Sequence, residues 1–379
     1  LWEEPQAYKI YSSNLEVENY FGWSVSIYGN YALIGSYGGT DATQIWIKKE
    51  VSGENSVWYR DVILKPSDAV SASIFGYAVS LYEDYALVGC PMHYIAGHAY
   101  MFYRDWRSGQ WSQTAKLSGN DDYYTPDFFG GSVSLHDNIA AVSAWKSGST
   151  GAVYIFYKSF YGRWSATQKI VAADSTSYDY FGRSVSLGSG IILIGAHGDD
   201  DAGLNSGSAY IFITSDGTNW SQEAKLVASD GYIADNFGES VALYDDTAVI
   251  GAKYTEADRS SNLETGGAYV YVRQAPDNYG QVAWLEEVKL ESDSVTPYSG
   301  FGASVGVARD TIIVGSQGEY SNKTGAIRTG SAFIYQRVGE SQYWSHQARL
   351  EPHSGKEGDF FGKAVAIDMR AQKAIVGAY

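Results

Sequence analysis

A Phe-Gly dipeptide returns seven times along this 379-residue chain, and it constrains the fold more than any other feature. Successive copies are 54, 54, 52, 56, 64 and 60 residues apart. Self-similarity at such a period is typical of arrays in which each repeat forms one supersecondary unit. The chain is therefore predicted to form one closed array, although its length alone would suggest two or more domains. The seven aromatic residues are Phe21, Phe75, Phe129, Phe181, Phe237, Phe301 and Phe361.

Each repeat carries the pattern of four strands. A small residue stands three and five positions after each Phe, with Val between them in all seven copies. One face of uniformly small residues suits the crowded innermost strand of a propeller blade. The first strand is followed by turn formers and then by an apolar second strand, such as 192–195. A third strand comes next and mostly begins with Gly. The fourth strand has Trp six residues before Leu or Ile, which places both on one face.

These patterns predict an all-β, seven-bladed β-propeller with about four antiparallel strands per blade, as one domain over residues 1–379. The blades are expected to start near residues 21, 75, 129, 181, 237, 301 and 361. Residues 1–10 resemble the end of a repeat, so they are predicted to supply the outer strand of blade seven and to close the ring. The last repeat stops after its second strand, so we expect the natural chain to continue past Tyr379.

Two further positions of the repeat are always Asn, Asp or Ser. They lie two and seven residues before each Phe, as Asp235 and Asp230 do before Phe237. Short polar side chains of this kind bond nearby backbone N–H groups and fix turns. Seven equivalent copies indicate shared geometry and not a catalytic centre.

The order Phe-Gly, Ser-Val, Ile-Gly-Ala, Gly-Ser-Ala-Tyr and Trp-Ser-Gln-Glu-Ala-Lys-Leu resembles the FG-GAP repeat family, most clearly over residues 164–252. That family includes the seven-bladed N-terminal propeller of integrin α subunits and many surface proteins. The resemblance implies an extracellular module for cell adhesion or protein binding. Integrin-type blades carry a calcium loop in the first hairpin, but here that hairpin is about two residues long. Because Ca²⁺ needs six to eight oxygen ligands, such sites are expected to be absent.

Composition narrows the classes of partner. The formal net charge of −16 would repel a nucleic-acid backbone, and no run of 18 apolar residues could span a membrane. The single cysteine, Cys90, follows an apolar strand and is predicted to be buried. Two sequons, at Asn219 and Asn322, permit a secreted glycoprotein.

One position breaks the uniformity of the repeat and is the best candidate for binding. It lies two residues past the Gly, or past Ser143, that ends strand two, and it should ring the channel on the face of the 2–3 and 4–1 loops. Loop positions also vary when nothing constrains them, but a specific binding surface needs such diversity. The residues are Tyr37, Pro91, Trp145, His197, Lys253, Gln317 and Tyr379, of which Tyr37, Trp145, His197, Lys253 and Gln317 are the predicted ligand-binding set.

Two loop regions supply further hypotheses. Asp199 and Asp201 belong to the densest acidic cluster and could bind Ca²⁺, although a solvated charged loop is the commoner explanation. The longest 2–3 loops, 255–266 and 319–330, are the preferred region for docking a partner.

Catalysis has little support, because the six His residues lack metal-ligand spacing and no phosphate loop or nucleophile elbow occurs. The sequence favours a non-enzymatic extracellular module that binds a protein or a glycan. The alternatives are an architectural subunit of a surface assembly and, less favoured, a carbohydrate-active enzyme with paired carboxylates.

Overall fold

The structure is a computed structural model that describes most of the chain. The described residues are 7–12, 20–36, 43–49, 57–68, 74–92, 97–119, 127–256, 263–293, 296–320, 327–339, 343–368 and 372–379. They form 26 strands and one short 3₁₀ helix, Ser147–Ser149. None of their helices has the length and apolarity needed to cross a membrane.

Six antiparallel sheets have four strands each, in chain order from the innermost strand outward. Blade one contains β1 Ser24–Tyr28, β2 Tyr31–Gly35, β3 Thr43–Lys49 and β4 Val57–Leu64. Blade two contains β5 Ala78–Tyr82, β6 Tyr85–Cys90, β7 His98–Arg104 and β8 Trp111–Leu117. Blade three contains β9 Phe129–His136, β10 Ile139–Ala144, β11 Ala152–Lys158 and β12 Trp164–Ile170.

The other blades repeat this order. Blade four contains β13 Ser184–Leu187, β14 Ile191–Ala196, β15 Ser208–Ile213 and β16 Ser221–Leu226. Blade five contains β17 Phe237–Tyr244, β18 Thr247–Ala252, β19 Gly267–Arg273 and β20 Trp284–Leu290. Blade six contains β21 Phe301–Ala308, β22 Thr311–Ser316, β23 Ser331–Val338 and β24 Tyr343–Leu350. The chain ends with the hairpin of β25 Ala364–Asp368 and β26 Lys373–Gly377.

The expectation of seven four-stranded blades is wrong, because the described residues form six such blades and one two-stranded sheet, β25–β26. Among the described residues, two strands follow the seventh Phe-Gly, and they pair with each other. The predicted N-terminal strand is not found in the described part of its range, residues 7–10, and residues 1–6 lie outside the description. Lys9 Nζ nevertheless lies 3.4 Å from Ser354 Oγ, between β24 and β25.

Neighbouring sheets touch through pairs of glycines. A Cβ added to Gly195, at the end of β14, would overlap the carbonyl oxygen of Gly238 in blade five. The same overlap would arise between Gly377 and the carbonyl oxygen of Gly22. The two-stranded sheet therefore packs on blade one as the complete blades pack on one another. This contact explains why strand two carries Gly at or next to its end in six of the seven repeats, and why the second residue of Phe-Gly is invariant along the chain.

The small residues of the innermost strands link each blade to the next by hydrogen bonds. The hydroxyl of Ser184 donates to the carbonyl oxygen of Gly238 at 2.9 Å, and the backbone N–H of Leu187 donates to Ser134 Oγ at 2.9 Å. The innermost strand is a sheet edge, so its outward N–H groups would otherwise lack partners. The predicted small face therefore supplies hydrogen bonds between blades as well as room.

From Phe75 onward, the Phe of each repeat lies between two sheets. Phe129 is fully buried among Leu87 and Met101 of the preceding blade, and its ring meets Tyr154 edge-on at 5.4 Å. Cys90 is also fully buried, as predicted.

The two polar positions before each Phe have different partners. Asp179, two residues before Phe181, accepts from the backbone N–H of Thr176 at 2.5 Å and fixes the turn as expected. Asp230, seven residues before Phe237, instead accepts from Tyr269 Oη at 2.6 Å and Lys289 Nζ at 2.7 Å. The second position therefore joins the loop after blade four to blade five.

Candidate functional site

Two rings of residues meet at the face formed by the 2–3 and 4–1 loops. Backbone bonds hold these loops together, for example from Gly198 N to Asp179 O at 3.1 Å and from Gly318 N to Ser299 O at 2.8 Å. We call the residues two past the end of strand two the rim residues. The residues directly after each Phe-Gly are called the inner residues. The inner residues are Trp23, Tyr77, Gly131, Arg183, Glu239, Ala303 and Lys363.

The predicted rim residues Trp145 and His197 lie in one aromatic arc. The Trp145 ring is 4.8 Å from the Phe128 ring and 5.5 Å from the Tyr180 ring. His197 stacks on Tyr180 at 5.2 Å with planes 16° apart. Tyr37, predicted for the same ring, lies outside the described residues.

Three rim residues carry buried polar atoms that have no hydrogen-bond partner within the described chain. These atoms are Trp145 Nε1, His197 Nδ1 and Gln317 Oε1. Buried polar atoms in native proteins are nearly always bonded to protein or to ordered water. Burial lowers the pKa of His197 to about 4, a shift that Glu239 opposes and Arg183 and Lys253 reinforce, so its imidazole is neutral at pH 7.

A charged group occupies the centre of the site. Arg183 donates two hydrogen bonds to Glu239, Nε to Oε2 at 3.2 Å and Nη2 to Oε1 at 3.0 Å. The predicted rim residue Lys253 donates to Glu239 Oε1 at 2.8 Å. Burial would raise the pKa of Glu239, but the charges of Arg183 and Lys253 outweigh it and hold that pKa well below its usual range.

Arg183 also crosses blade three to reach blade two, where its side chain hydrogen-bonds Tyr77. The inner residue of blade three is Gly131, and a Cβ there would lie 2.5 Å from Trp145 Nε1. The missing side chain therefore leaves space for both Trp145 and Arg183. The guanidinium lies 5.4 Å from the centre of the Trp145 ring, close enough for a cation–π contact.

A second aromatic arc continues around the ring through Tyr379. Its ring lies 5.3 Å from those of Tyr20, Trp23 and Phe360. Trp23 in turn lies 5.6 Å from Tyr77. The first and last repeats therefore share one aromatic wall on the same face as Trp145.

Lys363 approaches the centre from the last repeat. Its ammonium lies 4.4 Å from the centre of the Trp23 ring and forms no hydrogen bond or salt bridge with the described residues. Burial lowers the pKa of Lys363 to about 8, Glu239 opposes this shift, and Lys253 and Arg183 add to it. These interactions place the ammonium within electrostatic reach of the Arg183–Glu239 pair.

The acidic loop has a different organisation from the predicted calcium site. Lys225 Nζ lies 3.0 Å from Asp199 Oδ2, 2.5 Å from Asp201 Oδ2 and 2.7 Å from Asp174 Oδ2. An ammonium therefore bridges the two predicted calcium ligands. Within the described residues, no group of three or more His, Cys, Asp or Glu side chains is arranged to hold a metal ion.

The remaining predicted positions are partly described. Asn219 is exposed in the turn between β15 and β16, and its Nδ2 donates to Asp216 Oδ2 at 2.6 Å. Glycosylation there stays a prediction, and Asn322 lies outside the described residues. The central parts of the two long loops, residues 257–262 and 321–326, also lie outside the described residues.

Comparison with known proteins agrees with this architecture. The FG-GAP repeat family matches residues 5–52, 111–156, 164–212, 220–271, 284–335 and 344–379. These segments cover well over half of the chain. The chain belongs to the FG-GAP repeat family. A search of curated proteins found no match.

The FG-GAP propeller fold is typical of protein-interaction modules. Four of the six matched segments, 111–156, 164–212, 220–271 and 284–335, run from strand four of one blade into strand three of the next, so the family unit includes the 4–1 and 2–3 loops. Those are the loops that carry the rim residues and lead into the inner residues. Family membership identifies the kind of module and leaves its ligand open.

Proposed function

We propose that this protein is a non-enzymatic binding module whose ligand engages the rim and inner residues at the channel mouth. The observation that carries the proposal is the set of partnerless buried atoms on Trp145, His197 and Gln317. A ligand that hydrogen-bonds these atoms would satisfy groups that the described residues leave unsatisfied. The surrounding aromatic rings offer large contact area at low cost in side-chain entropy.

The chemistry of the centre supports binding and not turnover. Glycoside hydrolysis ordinarily uses a pair of carboxyl groups flanking the substrate. Glu239 is the one carboxylate among the described rim and inner side chains, and two cations already bind it. Its low pKa keeps it ionised, so it could not act as a general acid near neutral pH.

We further propose an extracellular or cell-surface location and a role in adhesion, as a glycoprotein in the integrin α-like branch of FG-GAP proteins. The two sequons and the acidic composition support this location. Its test is expression of the native chain in a glycosylating host, followed by glycosidase treatment. Secretion with a glycosidase-sensitive mass supports the location, whereas retention inside the cell without glycan contradicts it.

The binding proposal is tested with arrays of glycans and peptides. The double variant His197→Ala/Gln317→Ala removes two of the partnerless atoms, and Tyr82→Ala is the control. Tyr82 belongs to an aromatic row on the hairpin side of blade two and packs on His136 at 4.8 Å. We expect the double variant to lose at least tenfold in affinity for the ligands found, and the control to keep it. Equal binding by all three proteins overturns the proposal.

One observation favours the architectural alternative. Turns between strands three and four expose large aromatic side chains: Phe160 is 98% exposed, Tyr279 90% and Tyr161 88%. Exposed rings at the outer edge could join subunits of a larger assembly. Electron microscopy of native material, compared with Phe160→Ser/Tyr161→Ser, separates the two functions. Assembly lost in this variant supports the alternative, and its persistence rejects these contacts.

A further inference from the structure

The described part of the channel mouth has an excess of positive charge although the chain is acidic. Arg183, Lys253 and Lys363 face one carboxylate, that of Glu239, whereas the whole chain carries −16. Arg183 and Lys253 share Glu239 as their counterion. Lys363 has no counterion in contact with it among the described residues. The Trp23 ring beside this ammonium carries no net charge, so the ammonium is suited to an incoming anion.

Blade six has small residues on the face of the mouth. Blade six presents Ala303 at the inner position, between Glu239 of blade five and Lys363 of the last repeat. A Cβ added to Gly300 would meet only Gln317 Cγ, at 3.8 Å. Gly300 therefore leaves space beside the side chain of Gln317, whose Oε1 has no partner among the described residues.

The polar atoms of Trp145, Gln317 and His197 at the mouth call for a ligand that offers hydrogen-bond donors as well as a negative charge. Trp145 Nε1 can only donate a hydrogen bond, Gln317 Oε1 can only accept one, and neutral His197 can do either. A hydroxyl group both donates and accepts, so a polyhydroxylated ligand fits this mixed set. The apolar face of a sugar ring also packs well on aromatic rings such as Trp145, Tyr180 and Tyr379.

We propose that the channel mouth binds a saccharide that carries a carboxylate, with the carboxylate at Lys363 and Lys253 and the hydroxyl groups at Gln317 and His197. This inference rests on the proposed function and specifies its ligand class. A neutral sugar would leave the ammonium of Lys363 uncompensated. An acidic peptide would satisfy that charge but offers few groups that both donate and accept. The charge-assisted contact is the stronger type of hydrogen bond and should set most of the discrimination.

The test is calorimetry at pH 6.5, with an array of uronate-containing and sialylated oligosaccharides used to choose the tightest ligand. Each acid is compared with its methyl ester, which keeps the sugar and removes the charge, and with a hexaglutamate peptide. We expect the acid to bind at least tenfold more tightly than its ester. Equal affinity for acid and ester, absence of binding by every acid, or binding of the peptide alone overturns the inference.

A charge-removing variant assigns the effect to the mouth. Lys363→Met should lower the affinity for the acidic saccharide at least tenfold and leave the affinity for its methyl ester unchanged. Lys363→Arg should keep most of the affinity for the acid. Lys158→Met is the matched control, because Lys158 lies 4.0 Å from the ring centre of Tyr85, at the end of β11 remote from the mouth. An equal loss in both Met variants overturns the assignment.

The two levels of the proposal fail in different ways. Binding that depends on His197 and Gln317 but is indifferent to the acid rejects the saccharide carboxylate and leaves the binding module standing. Binding that is insensitive to every mouth variant rejects both. The ester comparison needs no variant, so it decides the ligand class even if Lys363→Met folds poorly.

Discussion

Arg183 and Glu239 form a two-point ion pair that joins the inner residues of blades four and five. The side chain of Glu239 is 8% exposed and that of Arg183 is 24% exposed. The carboxylate is therefore largely removed from water, whereas the guanidinium remains partly exposed to solvent. Lys253 makes the second contact with the same carboxylate. Glu239 therefore holds two cations in place at the centre of the candidate site.

Replacement of Glu239 by Gln should destabilise the protein, because it leaves Arg183 and Lys253 close together without a counterion. We expect a loss of about 2 kcal/mol, between the values typical of surface pairs and of buried pairs. Urea unfolding at pH 7 measures it. Glu83→Gln, in the exposed turn between β5 and β6, is the matched control and should change stability little. Equal midpoints for the two variants would show that the ion pair contributes nothing.

The glycine contacts between blades predict strong position dependence among Gly→Ala substitutions. Gly195→Ala places a methyl group against the carbonyl oxygen of Gly238, so the blades must separate. We expect a loss of about 3 kcal/mol, the upper range for overpacking a core. Gly339 has a φ of +67° and nothing within 4 Å, so Gly339→Ala reports the backbone strain alone, about 1 kcal/mol. Similar losses in the two variants would contradict the role of close contact.

The serine bonds between blades predict a local effect on exchange. Ser134→Ala leaves the backbone N–H of Leu187 without its acceptor, which should cost about 1 to 3 kcal/mol. Hydrogen exchange of the Leu187 amide should accelerate more than that of other amides in β13. Ser165→Ala, on the exposed strand β12, is the control. Unchanged protection at Leu187 would exclude the hydroxyl as its acceptor in solution.

Lys225 predicts how the acidic loop responds to calcium. Its ammonium bridges Asp199, Asp201 and Asp174, so a cation must displace it before binding the carboxylates. We expect Ca²⁺ to leave the melting temperature of the natural protein unchanged. Lys225→Met should lower the melting temperature, and Ca²⁺ should restore part of the loss because three carboxylates then lack a cation. Calorimetric heat with the natural protein would support the calcium site predicted from the sequence.

Much of this architecture could be predicted from the repeat, because strand periodicity and glycine positions are local properties. The face of the rim residues followed from register alone, since Trp145, His197, Lys253 and Gln317 all occupy equivalent positions. The number of complete blades could not be predicted, because the order of strands in the repeat does not show which segments pair. The partners of Asp230 were missed for a similar reason, as they lie in the next blade.

The inner residues were missed although a signal existed. Arg183 and Glu239 are 56 residues apart, which equals the interval between their Phe-Gly copies, so they occupy equivalent positions on adjacent blades. Adjacent equivalent positions of opposite charge predict an ion pair across the blade boundary. Diversity directly after an invariant Phe-Gly was the same signal that identified the rim residues. The contact between Arg183 and Tyr77 needed the structure, because it skips the blade of Gly131.

The lowered pKa of Lys363 should raise the free energy of unfolding between pH 8 and pH 10. Burial lowers its pKa to about 8 in the folded protein, against 10.5 for an ordinary lysine, with Glu239 opposing and Lys253 and Arg183 reinforcing the shift. Between these values the unfolded chain binds a proton that the folded protein has lost, so unfolding becomes less favourable as pH rises. Below pH 8 both states are protonated, and the cost of the buried charge is fully present.

The comparison that isolates this lysine is the difference in unfolding free energy between the natural protein and Lys363→Met, measured in urea from pH 6 to pH 10. The Lys363→Met variant should be more stable than the natural protein below pH 8. The difference in unfolding free energy should shrink as the pH approaches 10. His197 titrates near pH 4 and contributes nothing in this window. The raised pKa values of buried Tyr210 and Tyr269 act above pH 10 and cancel in the difference, since both proteins contain them. A difference that is constant with pH would show that the ammonium of Lys363 is solvated in solution, and the carboxylate site would lose its desolvated cation.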